Sequence, residues 1–150
     1  QILKVATQKG HPVHLVLVGD GAERKNIESM LAANNLNTSV TFVGATFNVS
    51  DYLQAMDVFV MPSLFEGLPV SLIEAQSAGL PCLISDVITH DVDVTGNVQW
   101  LSLQLGPTLW WDAICKVDHS FIRHSTRKQI IDSGYDLSQS CRIMEDRFEQ

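Results

Sequence analysis

The sequence predicts an α/β fold, a Rossmann-like parallel sheet with helices on both faces. Three observations carry that expectation. Short runs rich in Val, Ile and Leu recur along the chain, separated by segments of helical periodicity. The runs are apolar almost throughout rather than alternating, as strands covered on both faces are. Glycine and proline punctuation marks most of their ends.

Each element follows from local chemistry. Gln1 to Lys9 reads as the back half of an amphipathic helix, stopped by Gly10. Val13 to Gly19 is apolar and β-branched, so it is expected to be a strand buried on both faces. Gly19-Asp20-Gly21 turns the chain into a helix over Ala22 to Asn34, with Ile27, Met30 and Leu31 as its stripe. Val40 to Val43 is a second strand closed by Gly44, and Ser50 to Met56 a short helix that Asn48 or Ser50 caps. Val58 to Met61 is a third strand, broken by Pro62-Ser63. Pro69 suits a first helical turn, where its missing N–H is no loss, and that helix runs to Ala78. Cys82 to Ser85 and Val98 to Leu103 complete the strands. Gly106-Pro107 starts a helix through Lys116, followed by a helical tail over 117–150.

The 150 residues are expected to form one domain. With 45% hydrophobic and 18% charged residues, the chain has material for a core and too little charge for disorder. Net charge is -7, and no Lys or Arg lies between Asn26 and Cys115. Nucleic-acid binding needs clustered cations, so that class is excluded. Three cysteines without C-x-x-C spacing point to neither a disulfide framework nor a zinc knuckle, and a reducing cytoplasm fits them. No apolar run approaches the length of a spanning helix, and no signal peptide opens the chain. The chain opens inside a helix and without Met, so a fragment of a longer protein is expected.

Ligands of parallel sheets sit at the carboxyl ends of the strands, which directs attention to the loops after Val18, Val43, Met61 and Ser85. The loop Pro62 to Pro69 is the richest. The helix after it offers free N–H groups and a partial positive charge to an anion. Gly67 leaves room for a ligand at the backbone. Glu74, in the helix's second turn, is expected to lean back toward the same place, with Glu66 at the rim. Carboxylates accept paired hydrogen bonds from vicinal diols, so two acids beside an anion site suit a nucleotide sugar. Two solvated surface acids have the same spacing, and spacing alone does not separate the readings. Elsewhere the signals are thin. Gly19 and Gly21 lack the third glycine of a dinucleotide fingerprint, where Arg24 stands. The five histidines have no paired ligand spacing. Asp91-Val92-Asp93 matches a short metal-binding D-x-D, and Trp100, Trp110 and Trp111 suit packing before sugar stacking.

The stretches VLVGDGAER (16–24), VTFVG (40–44) and LQAMDVFVMPSLFEGLPVSLIEAQSAGLPCLISD (53–86) together resemble one family. It is glycosyl transferases group 1, or glycosyltransferase family 4. Its members are retaining enzymes of the GT-B fold, and the resemblance is to their C-terminal, donor-binding half. Glu66 and Glu74 match the family's E-x7-E pair, and AGLPCLISD followed by DVDVTGNVQWLSL is most similar to bacterial capsular and exopolysaccharide members. The resemblance implies that Glu66, the catalytic candidate, contacts the donor hexose and that Glu74 holds the ribose. Gly67, Leu68, Pro69 and Val70 then meet the sugar and diphosphate. Gly44, Ala45, Thr46 and Phe47 meet the base, with Gly19 and Gly21 flanking. It further implies a UDP-sugar donor, a polysaccharide or lipid-linked acceptor, no metal or other cofactor, and a cytoplasmic site at the inner membrane face. The family's first strand with its diphosphate-binding Arg and Lys, and its acceptor domain, are expected to precede Gln1. A sugar-nucleotide epimerase or hydrolase of related fold, and a non-catalytic α/β interaction domain, are the competing readings.

Overall fold

The computed structural model describes residues 1–136 and Cys141. Five strands alternate with six helices: α1 Ile2–Gln8, β1 Leu15–Val18, α2 Arg24–Ala33, β2 Val40–Gly44, α3 Val49–Ala55, β3 Phe59–Met61, α4 Val70–Ser77, β4 Cys82–Ser85, β5 Val98–Leu101, α5 Gly106–Ser120 and α6 Arg127–Asp132. Every strand pair is parallel. The strands form two ladders, β1-β2 and β3-β4-β5, with no described strand bridging them. Of the helical tail expected over 117–150, α5 runs on to Ser120 and α6 covers Arg127–Asp132, but 121–126 and 133–136 are not helical; the remaining positions, apart from Cys141, lie outside the described residues.

The side-chain period of two sends alternate residues of β4 to opposite faces. Cys82 and Ile84 join Leu53, Leu72, Ala75, Ile88 and Val92, with Phe59 and Met61 packed against them, so α3 and α4 cover this face. Leu83 points the other way, into Trp110 and Ala113 of α5, with Ile2 of α1 and Val60 beside them. Helices therefore cover both faces. The four residues of β4 are all buried. Burying a leucine or isoleucine of this kind stabilises the fold by about 1.5–3 kcal/mol. The salt bridge from Lys9 Nζ to Asp112 Oδ1, 2.6 Å, ties α1 to α5.

Two expectations need correction. The strand expected over Val13 to Gly19 is shorter, and it is not buried on both faces: Leu15 is 38% exposed and Val16 to Val18 are half-buried. Among the described residues its only strand partner is β2, whereas fully buried β4 lies between two strands. Asn48 takes the N-cap position of α3, but its side chain does not cap the helix. Its backbone N–H instead donates to Thr46 Oγ1 at 3.1 Å, so the turn is closed from the preceding side.

Candidate functional site

The predicted site residues gather in two groups, each at the carboxyl ends of one ladder. At the first, Gly19 N–H donates to the Gly44 carbonyl at 2.8 Å, joining the loops after β1 and β2. Gly19 and Gly44 have φ of +119° and +78°, so both turns require glycine for backbone reasons alone. Gly21 continues the first loop. Ala45, Thr46 and Phe47 continue the second, with the Phe47 ring fully exposed.

In the sequence Arg24 closed the stretch VLVGDGAER and replaced a third glycine, with no role of its own. The structure makes it the cation of this first group. Its Nε donates to Glu28 Oε1 at 3.0 Å, and NH1 lies 3.8 Å from Asp20 Oδ1. The guanidinium carbon sits 5.1 Å from the Phe42 ring centroid, a cation–π distance. A Cβ built on Gly44 would come within 3.9 Å of NH1. Arg24 therefore stands, held on three sides, beside the turn read as base-binding.

The second group is built on the loop between β3 and α4. Ser63 Oγ donates to Glu66 Oε1 at 2.8 Å, and both residues are half-buried. Ser85, at the end of β4, donates from Oγ to the Ser63 carbonyl at 2.5 Å. Gly67 is exposed, has no left-handed φ, and a Cβ added there would meet nothing within 4 Å. Nothing in the fold itself asks for glycine at that position. Leu68 and Val70 are 53% and 66% exposed, while Pro69 is buried.

The helix α4 begins one residue later than expected: Pro69 is its N-cap, with extended ψ of 103°, and no side chain caps the helix. Leu72 N–H turns back to the Pro69 carbonyl at 3.0 Å, so the first-turn N–H groups of Val70 and Ser71 are the ones left open to an anion. Leu72, Ile73, Ala75 and Gln76 face the core, which leaves Val70, Ser71, Glu74 and Ser77 outward. Glu74 lies one turn after Val70 on that stripe, and helical side chains lean toward the N-terminus. Among the described residues its carboxylate has no hydrogen bond or ion pair. No hydrogen bond or ion pair joins the two groups among the described residues.

The other candidates are occupied. Asp93 Oδ1 accepts the N–H groups of Thr95 and Gly96 at 3.3 and 2.7 Å, and Asp91 Oδ2 accepts from Thr89 Oγ1. Trp110 and Trp100 donate their indole N–H groups to the Ser102 and Ile88 carbonyls, and Trp111 is 6% exposed. Burial first, and Asp93 second, push the Cys82 thiol up from 9.0 to about 12, so it is no nucleophile at neutral pH. A cavity of about 650 Å³ opens elsewhere, among Gln54, Ser77, Arg123, Thr126 and Tyr135. No residue of the loop after β3 lines it.

Comparison with known proteins decides the family, because the model described as Glycosyl transferases group 1 matches residues 1–117, which include both groups. The chain belongs to that family. The putative glycosyltransferase EpsF of Bacillus subtilis is 39% identical over 145 residues, covering 93% of this chain and 38% of its own length. The chain thus spans well under half of that relative. Among solved structures, TarM superposes with a TM-score of 0.75 at 20% identity, over 99% of this chain and 30% of its own. HepE of Anabaena, solved with UDP and glucose, gives 0.74 at 17% identity, over 99% of this chain and 44% of its own. The family fold is therefore the GT-B fold, of which this chain forms a part.

Proposed function

We propose that this chain is the donor-binding domain of a retaining hexosyltransferase, taking its sugar from a nucleotide diphosphate, UDP-sugar first. The observation that carries the reading is the loop after β3. There a carboxylate, Glu66, is fixed by Ser63 immediately ahead of the uncapped helix α4, whose outward stripe carries Glu74. An open helix N-terminus suits the diphosphate, and electrostatic stabilisation of that leaving group is the main catalytic demand of the transfer. Glu66 then accepts from hydroxyls of the hexose and Glu74 from the ribose diol. Gly67 leaves the backbone open where the sugar and diphosphate pass. Gly44 to Phe47 and Arg24 border the base.

In this reading no metal takes part, and Asp91 and Asp93 remain turn-forming residues. The acceptor is a growing polysaccharide or a lipid-linked saccharide, at the inner face of the cytoplasmic membrane. Relatives named for amylovoran and O-antigen biosynthesis support that class. The acceptor is held by a part of the protein beyond these residues, along with the strand that precedes α1 in the family. Among the described residues no helix is long and apolar enough to cross a membrane.

The test is turnover by the full-length protein. A UDP-sugar should be consumed with the anomeric configuration of the product retained by NMR, at a rate that EDTA leaves unchanged. An inverted product, or a rate abolished by EDTA and restored by manganese, contradicts the reading.

A further inference from the structure

Ser63 lies in the loop singled out from the sequence but had no role of its own there, yet among the described residues its hydroxyl has one partner, Glu66 Oε1 at 2.8 Å. The loop that carries Ser63 is tethered independently. Ser85, fully buried at the end of β4, donates to the Ser63 carbonyl, not to its side chain. The backbone anchor and the hydroxyl's own bond are thus separate interactions, and losing the hydroxyl leaves the anchor in place. A free glutamate has three rotatable torsions, whose freedom is lost when it grips a ligand. A donor already placed on one oxygen removes part of that loss and orients the other oxygen.

We infer that Ser63, seated by Ser85, is a positioning residue for Glu66: it holds Oε1 so that Oε2 is presented to a hydroxyl of the transferred sugar. The inference rests on the donor-site reading above and adds to it a residue that touches no substrate. A Ser63 that merely shapes the loop would disturb the whole second group, including the helix end that takes the diphosphate. A Ser63 that acts through Glu66 affects only what Glu66 does.

The experiment uses the full-length protein with a UDP-sugar donor and compares Ser63→Ala, Ser63→Thr, Glu66→Gln and the double variant Ser63→Ala/Glu66→Gln. Ser63→Ala should lower kcat/KM for the donor roughly ten- to a hundredfold, as loss of a hydrogen bond to a charged group does. UDP affinity by calorimetry should stay within about twofold, and Ser63→Thr should recover most of the rate. Glu66→Gln leaves an amide oxygen that still accepts from the Ser63 hydroxyl but without the charge, so Ser63→Ala should slow it by a smaller factor than it slows the parent. The inference is overturned if Ser63→Ala loses UDP in step with the donor, if it slows Glu66→Gln by the same factor as the parent, or if it changes nothing. An unaffected Glu66→Gln sinks the donor-site reading itself; a slow Glu66→Gln beside a normal Ser63→Ala sinks this inference alone.

Discussion

Gly44 and Gly67 both sit in loops at strand ends, but for different physical reasons. Gly44 has φ +78°, a conformation L side chains rarely adopt, although a Cβ there would meet Arg24 only at an ordinary contact distance. Gly67 has no left-handed φ, and a Cβ there would meet nothing within 4 Å. Gly67→Ala should therefore leave the melting temperature within about 2 °C of the parent, or raise it slightly through the unfolded chain. It should weaken the donor by about ten- to a hundredfold, because a methyl pressed into an occupied contact costs about 1–3 kcal/mol. A stable variant with unchanged donor affinity would remove the ligand-based reason for this glycine. At this scale the sequence drew attention to Glu66, Gly67 and Glu74 as candidates, through their spacing and the helix start. It did not reveal Ser63 or Arg24. Ser85 reaches Ser63 across 22 positions, and Arg24 reaches Gly44 only after β1 and β2 have paired. Such contacts leave no periodic trace.

The helix α4 connects the site to the core, and Gln76 is the residue through which it does so. Its amide, fully buried, donates to the Val92 carbonyl at 2.8 Å and to Leu72 at 3.3 Å. Its Oε1 accepts from Val94 N–H and Thr95 Oγ1, each at 3.0 Å. The loop after β4 is thereby bound to the helix that carries Glu74. Gln76→Leu keeps the volume but leaves these backbone groups unpaired, which costs about 2–4 kcal/mol. The expected fall in melting temperature is about 5–15 °C; a fall of less than about 2 °C would show that water replaces the amide. Periodicity with glycine and proline punctuation placed the five strands and helices α1 to α5 to within a few residues, whereas α6 had no bounds of its own inside the helical tail expected over 117–150. Its errors lay where tertiary context decides. The exposure of β1 depends on its neighbours in the sheet, and the late start of α4 depends on the extended ψ of Pro69. The buried amide of Gln76 was invisible, because a glutamine on a helix reads as surface.

At the scale of the molecule, the proposed donor site asks a chain of net charge -7 to hold a diphosphate. Among the described residues, side-chain cations stand near the proposed site in one place, at its base end. Arg24 and Lys25 open the helix that follows β1, at the carboxyl end of the first ladder. The remaining described cations lie in or after α1, late in α5, or beyond it. The anion must otherwise be met by backbone N–H groups at α4, with Glu66 and Glu74 facing neutral hydroxyls rather than charge. In the proposed site, the loops at the carboxyl ends of the two ladders would give such a ligand a base end and a sugar end. That division of labour is the central claim, and calorimetry of UDP binding to full-length Glu74→Gln and Glu66→Gln, beside donor turnover, tests it most directly. An amide in place of a carboxylate loses a charge-assisted hydrogen bond, about ten- to a hundredfold in affinity. Glu74→Gln should weaken UDP and the UDP-sugar by similar factors, while Glu66→Gln should leave UDP nearly untouched and lower donor affinity or turnover. Equal losses of UDP in the two variants, or no loss in either, would contradict the account.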